Sequence, residues 1–307
     1  MDVRDQALND VRIAAVAVIE GQDDKYWDEK LHLIATTIHN KMKYAPSSLE
    51  LNTLRKIYTD ASILLGLLKS LLSCPNDSIA ILDKAIIIAG PYGSGRLDFI
   101  LDVIRRIQRP LSSNWSIRSG TKISPSSQVK PELSECTIPC LPTVPSFIAF
   151  QLTYSRQPFI LRNYAADWPA LLNRPWGSYA YLLSVAGPGR IVPVEVGHDY
   201  RSDEWQQKIM LWEDFLALLE FKDHSATTSG TDILYMAQHN LTKQFPDLLK
   251  DIIIPDYVYA DLRSSDFPNY DPPRNETQML LNTWLGPKGT LSPAHTVSKF
   301  RYHIFGY

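Results

Sequence analysis

Between Pro110 and Pro145 the chain crowds Ser112-Ser113, Ser124-Pro-Ser-Ser127, Pro131, Pro139, Pro142 and Pro145 into a stretch that cannot sustain regular structure. Proline removes a backbone donor and fixes φ, so neither a helix interior nor an inner strand runs through such a segment. The 307 residues therefore divide into two parts with different internal patterns. The boundaries read from this are a helical domain over 1–110, a Ser/Pro-rich linker over 111–143 and a second domain over 144–307.

The first part carries helical periodicity. Ile63, Leu64, Leu67, Leu68, Leu71 and Leu72 follow the i, i+3, i+4 spacing that places six apolar side chains on one helix face. Leu97, Ile100, Leu101, Ile104 and Ile107 repeat it, with Asp98, Asp102, Arg105 and Arg106 mostly opposite, and Pro110 is expected to stop that helix. Such stripes pack helix against helix, which predicts a small bundle or helical-repeat module. Gly90-Pro-Tyr-Gly-Ser-Gly-Arg96 has the glycines of a phosphate loop without its Lys-Ser/Thr, so it reads as a connection between helices.

After Pro145 the pattern is mixed. Phe159-Ile-Leu161, Ile191-Val-Pro-Val-Glu-Val196, Ile233-Leu-Tyr-Met236 and Met279 to Leu285 are strand-like, whereas Tyr179 to Val185 and Leu211 to Phe221 have helical spacing. That order predicts an α+β domain with a mostly antiparallel sheet.

Charge and cysteines narrow the functional classes. Thirty-one Lys and Arg against 33 Asp and Glu leave a net charge of -2 with no long basic run, so a phosphate-tracking nucleic-acid surface is not indicated. The charged start Met1-Asp-Val-Arg-Asp-Gln is unlike a secretory signal, and the apolar stretch Ile13 to Ile19 is too short to span a bilayer, so the expectation is an intracellular protein with no membrane partner. Cys74, Cys136 and Cys140 cannot all pair, and Cys136-x-x-x-Cys140 has no nearby ligands to complete a zinc site.

The segment Asn282-Thr-Trp-Leu-Gly-Pro-Lys-Gly-Thr-Leu-Ser-Pro-Ala-His295 sets a turn signal between apolar runs and delivers a histidine onto what should be a further strand. With Gln157-Pro-Phe-Ile-Leu-Arg-Asn-Tyr-Ala-Ala-Asp-Trp-Pro169, Val192-Pro-Val-Glu-Val-Gly197, Asp203-Glu-Trp205 and Tyr235-Met-Ala-Gln-His239, it completes five motifs in order. From Val144 onward the chain resembles the Jumonji C domain hydroxylases, near their small nuclear branch of lysine demethylases and arginyl hydroxylases with a helical N-terminal extension. The resemblance implies a cupin-like jelly roll, the double-stranded β-helix, with Fe(II) and 2-oxoglutarate at its mouth, and a nuclear or cytoplasmic location. It also implies a protein or peptide substrate presenting an Arg or Lys side chain. The oligomeric state is not readable from it.

Carried over by position, His295 matches the first iron ligand, Tyr235 and Ser292 the groups that contact 2-oxoglutarate, and Glu195, Trp205 and Trp284 a wall for a cationic side chain. A carboxylate with aromatic faces suits ammonium or guanidinium through ion pairing and cation–π attraction. Read without the resemblance, Trp205 and Trp284 serve equally as core aromatics, Tyr235 as a satisfied buried hydroxyl, Glu195 as a solvent-facing strand residue and His239 as a structural hydrogen-bonding group.

One departure from the family concerns the metal. Its first two ligands stand at i and i+2, where strand side chains share a face, and Val297 occupies the second position. Aligning Phe300 to Tyr307 with the family's next strand implies two residues missing after Thr296, and the stretch carries neither the later Asn nor the anchoring Lys and distal His. His303 is roughly 26 Å along an extended strand from His295, too far to share an ion unless the chain doubles back. The sequence thus implies an incomplete, truncated copy of the domain, and two readings follow. One is a 2-oxoglutarate-dependent hydroxylase or demethylase inactive as this chain, and the other a non-catalytic helical scaffold with a Jumonji C remnant.

Overall fold

The computed structural model describes residues 3–22, 24–113, 115, 138–197, 206–226, 234–260, 281–287 and 290. Five long helices come first: α1 Val3–Glu20, α2 Asp24–Met42, α3 Ser48–Leu71, α4 Pro75–Lys84 and α5 Arg96–Ser112. On α2, Leu31, Ile34 and Ile38 recur at i, i+3 and i+7 and are buried together with Ala14 of α1 and Leu54, Ile57 and Leu65 of α3. Each such Leu or Ile contributes about 1.5–3 kcal/mol on leaving water. Ser47 caps α3 by accepting the Glu50 amide at 3.2 Å, replacing one bond that the first turn cannot make internally.

The structure corrects the α3 stripe. Ile63 and Leu68 are buried, but Leu71 and Leu72 are exposed where the helix ends at Leu71. Instead α3 buries several faces at once, against α1, α2 and α4. Gly66 lets α4 approach closely. A Cβ there would lie 2.8 Å from the Leu82 side chain, and Ser78 Oγ donates to the Gly66 carbonyl at 2.6 Å.

The α5 stripe folds as read, with Ile100, Leu101, Ile104 and Ile107 buried against Ile79, Leu82 and Ile86. Pro110 does not stop this helix, which continues to Ser112. In the final turn few backbone bonds remain to be lost, and Ser112 Oγ donates to the Gln108 carbonyl at 2.9 Å. The glycine-rich segment is indeed a connection: α4 passes into a π-helical turn, Ala85–Ala89, that Gly90 closes at φ 72° before α5 begins. Leu111 and Ser112, assigned to the linker, thus belong to α5, and Cys140–Leu141 forms a strand.

That strand, β1, pairs in parallel with β2 Ile160–Leu161. Between them lies α6 Phe147–Leu152, and α7 Tyr179–Ala186 follows, capped by Ser178. Next come β3 Ile191–Val196, β4 Gln206–Leu211, α8 Trp212–Ala217, β5 Leu234–His239, α9 Leu241–Gln244 and β6 Thr283–Leu285. The predicted helix from Leu211 to Phe221 is corrected at its start. Gln206–Leu211 pairs antiparallel with β3 over its whole length, and only Trp212–Ala217 is α-helical.

The four strands form an antiparallel sheet in the order β4-β3-β5-β6. Mixed helix and antiparallel sheet is the class read from the sequence. Val192, Val194 and Met236 turn toward Leu182 and Leu183 of α7, Trp212, Phe215 and Leu216 of α8, and Phe245. Since strand side chains alternate, Glu195 and Tyr235 occupy the other face.

The helical part meets the sheet through buried charge. Asp83 of α4, fully buried, takes Arg190 Nε at 2.9 Å and Nη2 at 2.7 Å and the Ile191 amide at 3.0 Å. Gln108 of α5 donates to the carbonyls of Ala186 and Pro188 at 3.0 and 2.8 Å. Gly187 makes room for it, since a Cβ there would fall 2.7 Å from the Gln108 amide.

Candidate functional site

Glu195 and Tyr235 are directly opposed in the β3–β5 ladder, a register that brings Cβ atoms within about 5 Å. Both are half-buried. Burial, and next the Glu195 carboxylate across the ladder, raise the Tyr235 phenol above the ordinary tyrosine range, so the hydroxyl keeps its proton and remains a donor.

On the neighbouring strand β6, Leu285 pairs with Met236 and joins the core, which turns Trp284 to the face of Tyr235. Trp284 is 38% exposed, unlike a core tryptophan such as Trp212 at 1%. Its exposure sets it apart from the aromatics of the core. Gly286 has no side chain to spare at this point: a Cβ would stand 2.8 Å from the Tyr235 ring and 2.6 Å from Thr290 Oγ1. Thr290 itself closes the turn, donating to the Pro287 carbonyl at 2.7 Å.

The structure thus gathers Glu195, Tyr235 and Trp284 on one face of adjacent strands. Ser292, His295 and Trp205 lie outside the described residues. Among the described residues no three His, Cys, Asp or Glu side chains come together as a metal site. Cys74 and Cys140 are free thiols, and no described helix is long and apolar enough to cross a membrane.

His239, four residues after Tyr235, has the structural role considered for it. Gln244 Nε2 donates to the Ile191 carbonyl at 2.7 Å, which leaves Gln244 Oε1 to accept from His239 Nε2 at 2.7 Å. Burial holds this imidazole below its ordinary pKa, outweighing the Gln244 bond and the Asp83 charge, both of which raise it. A β-bulge lies here: Met236 faces Leu285 while His239 faces Thr283, and Gln238 takes φ 55°.

Sequence reasoning missed Asp83, Arg190 and Gln244, all buried. A signal existed, because Asp83 interrupts the apolar face formed by Ile79, Leu82 and Ile86, and a charge at such a position needs a partner. What the local pattern cannot supply is the partner's identity, 107 residues away.

No family model matches the chain. Over 164 residues it is 41% identical to Jumonji C domain-containing protein 5 of Drosophila melanogaster, covering 53% of this chain and 37% of that protein. It is 39% identical over 141 residues to lysine-specific demethylase 8 of Danio rerio, covering 46% and 30%. Lysine-specific demethylase JMJ30 of Arabidopsis thaliana is 36% identical over 138 residues, covering 45% and 28%. The chain spans about a third of the length of these curated relatives. Over the matched stretch the chain is thus similar to Jumonji C domain-containing proteins and to lysine-specific demethylases.

Proposed function

We propose that this chain recognises a basic side chain of a protein substrate on the face built by Glu195, Tyr235 and Trp284, as part of a Jumonji C domain of the jelly-roll type. The observation that carries the reading is the opposed pair Glu195 and Tyr235, a carboxylate beside a protonated phenol. With the exposed indole of Trp284 on the same face, the arrangement offers an ion pair, a hydrogen-bonding hydroxyl and an aromatic surface to one cation. A charge-assisted hydrogen bond is worth about 1.5–3 kcal/mol and a cation–π contact about 0.5–2 kcal/mol. Names of relatives such as lysine-specific demethylase 8 agree with a substrate of this chemistry. Trp205 is placed by resemblance in the same wall.

Fe(II) and 2-oxoglutarate fit this stretch of chain poorly. By resemblance His295 would ligate the metal and Tyr235 and Ser292 would hold the cosubstrate, but Val297 stands where the family has a carboxylate and has no lone pair to give. The donors on this stretch do not make a resident iron site, so recognition is proposed here without an oxidative step.

Two measurements on the purified chain test the proposal. Titrating a lysine- or arginine-containing peptide while following the Trp284 indole resonance is expected to give saturable shifts, with none for the same peptide carrying Gln. Equal shifts for both peptides would refute recognition of the charge. Succinate formation with Fe(II) and 2-oxoglutarate is expected to match a His295→Ala control, and turnover well above that control would show that the iron assignment is mistaken.

A further inference from the structure

Among the described residues the β3–β5 ladder has two paired positions, Glu195 with Tyr235 and Val196 with Leu234. Toward the other end of the same two strands a side chain ties the β3 backbone to a β5 side chain. Gln244 bridges the Ile191 carbonyl and the His239 ring, the first residue of β3 and the last of β5. Arg190 adds a second tie by donating Nη2 to the Gln244 carbonyl at 3.0 Å, with its guanidinium 4.6 Å from the centre of the Phe245 ring. Asp83 of the helical part anchors the whole arrangement by holding both Arg190 and the Ile191 amide.

The geometry points to Asp83 and Gln244 as positioning residues for the Glu195–Tyr235 pair, which makes the helical part a fixed component of the candidate site and not a detachable module. A slip of one residue between β3 and β5 would turn Glu195 to the opposite face and uncover Val192 and Val194, so the clamp adds to the register that burial of that face imposes. The clamp lies four residues from that pair along each strand, close enough to set its register and too far to touch a bound side chain. The consequence for recognition rests on the reading of this face as a cation site, whereas the consequence for the strands does not.

Hydrogen exchange on the full chain, paired with peptide titration, tests this. In Asp83→Asn, amides of Val194–Val196 and Leu234–Met236 are expected to exchange roughly tenfold faster or more while those of α2 and α3 keep wild-type rates. Asp83→Glu, which retains a carboxylate, should recover most of the protection and the peptide affinity lost with it. Gln244→Met keeps the Asp83–Arg190 pair and serves if Asp83→Asn does not fold; it should loosen the same two segments. Asp60→Asn is the control, because it breaks the 2.6 Å pair with Arg96 inside the helical part and should leave both segments protected. Unchanged exchange in β3 and β5 of a folded Asp83→Asn or Gln244→Met protein, or the same loosening in Asp60→Asn, would overturn the inference. Local loosening in a protein that binds no basic peptide would uphold positioning and refute the cation site.

Discussion

Glu195 lies directly across the β3–β5 ladder from Tyr235, on the sheet face turned away from the core of Val192, Val194 and Met236. The placement follows from alternation. Each polar residue is flanked by apolar ones that the α7 and α8 helices cover, so burying the flanking residues forces the acid and the phenol to the same side.

The Asp83–Arg190 pair is buried on both sides, at 0% and 5% side-chain exposure. Removing one partner, as in Arg190→Met, strands a buried charge and is expected to cost about 3–5 kcal/mol in urea unfolding. The double change Asp83→Leu with Arg190→Met removes both charges and should recover a large part of that loss. By contrast Asp102→Asn, which breaks the exposed pair with Arg106, should shift stability by no more than about 0.5 kcal/mol. A single Arg190 variant as stable as wild type would show that the pair is not what joins the two parts.

Gly286→Ala should displace the Tyr235 ring or open the turn at Thr290, because the added methyl has no room. Overpacking of this kind costs about 1–3 kcal/mol. The expected result is a lower melting temperature together with weaker binding of a basic peptide. An alanine variant with unaltered affinity would mean that Tyr235 can move without consequence for the site.

His239 ties pH to the same clamp. Its folded-state pKa lies below the ordinary 6.5, so the unfolded chain binds the proton more readily than the native one. The stability contributed by the neutral ring is therefore complete above pH 6.5 and declines as pH falls through the lower folded-state value. Urea midpoints at pH 7.5 and 5.5 should fall further in wild type than in His239→Asn, and equal falls would remove His239 as the cause.

How much of this was legible in the sequence differs from element to element. The α5 stripe and strand β3 follow from periodicity, since each buries one regularly spaced set of residues, and the connection after Ala89 follows from its glycines. Strand β4 did not, because Gln206-Gln-Lys-Ile-Met-Leu211 shows no clean alternation and is held as a strand by β3 beside it. Glu195, Tyr235 and Trp284 were marked by resemblance and are brought to one face, whereas Ser292, His295 and Trp205 fall outside the described residues. The clamp of Asp83, Arg190 and Gln244 was unreadable, because local patterns show that a charge is out of place on an apolar face and not which distant residue will neutralise it.

The most direct test of recognition at Glu195 is the calorimetric affinity of the full chain for a lysine peptide, measured beside Glu195→Gln. The substitution keeps size and polarity and removes only the charge. Affinity is expected to fall about tenfold or more, with the wild-type interaction weakening as salt is raised. Equal affinities for the two proteins, with the same salt dependence, would contradict the cation site.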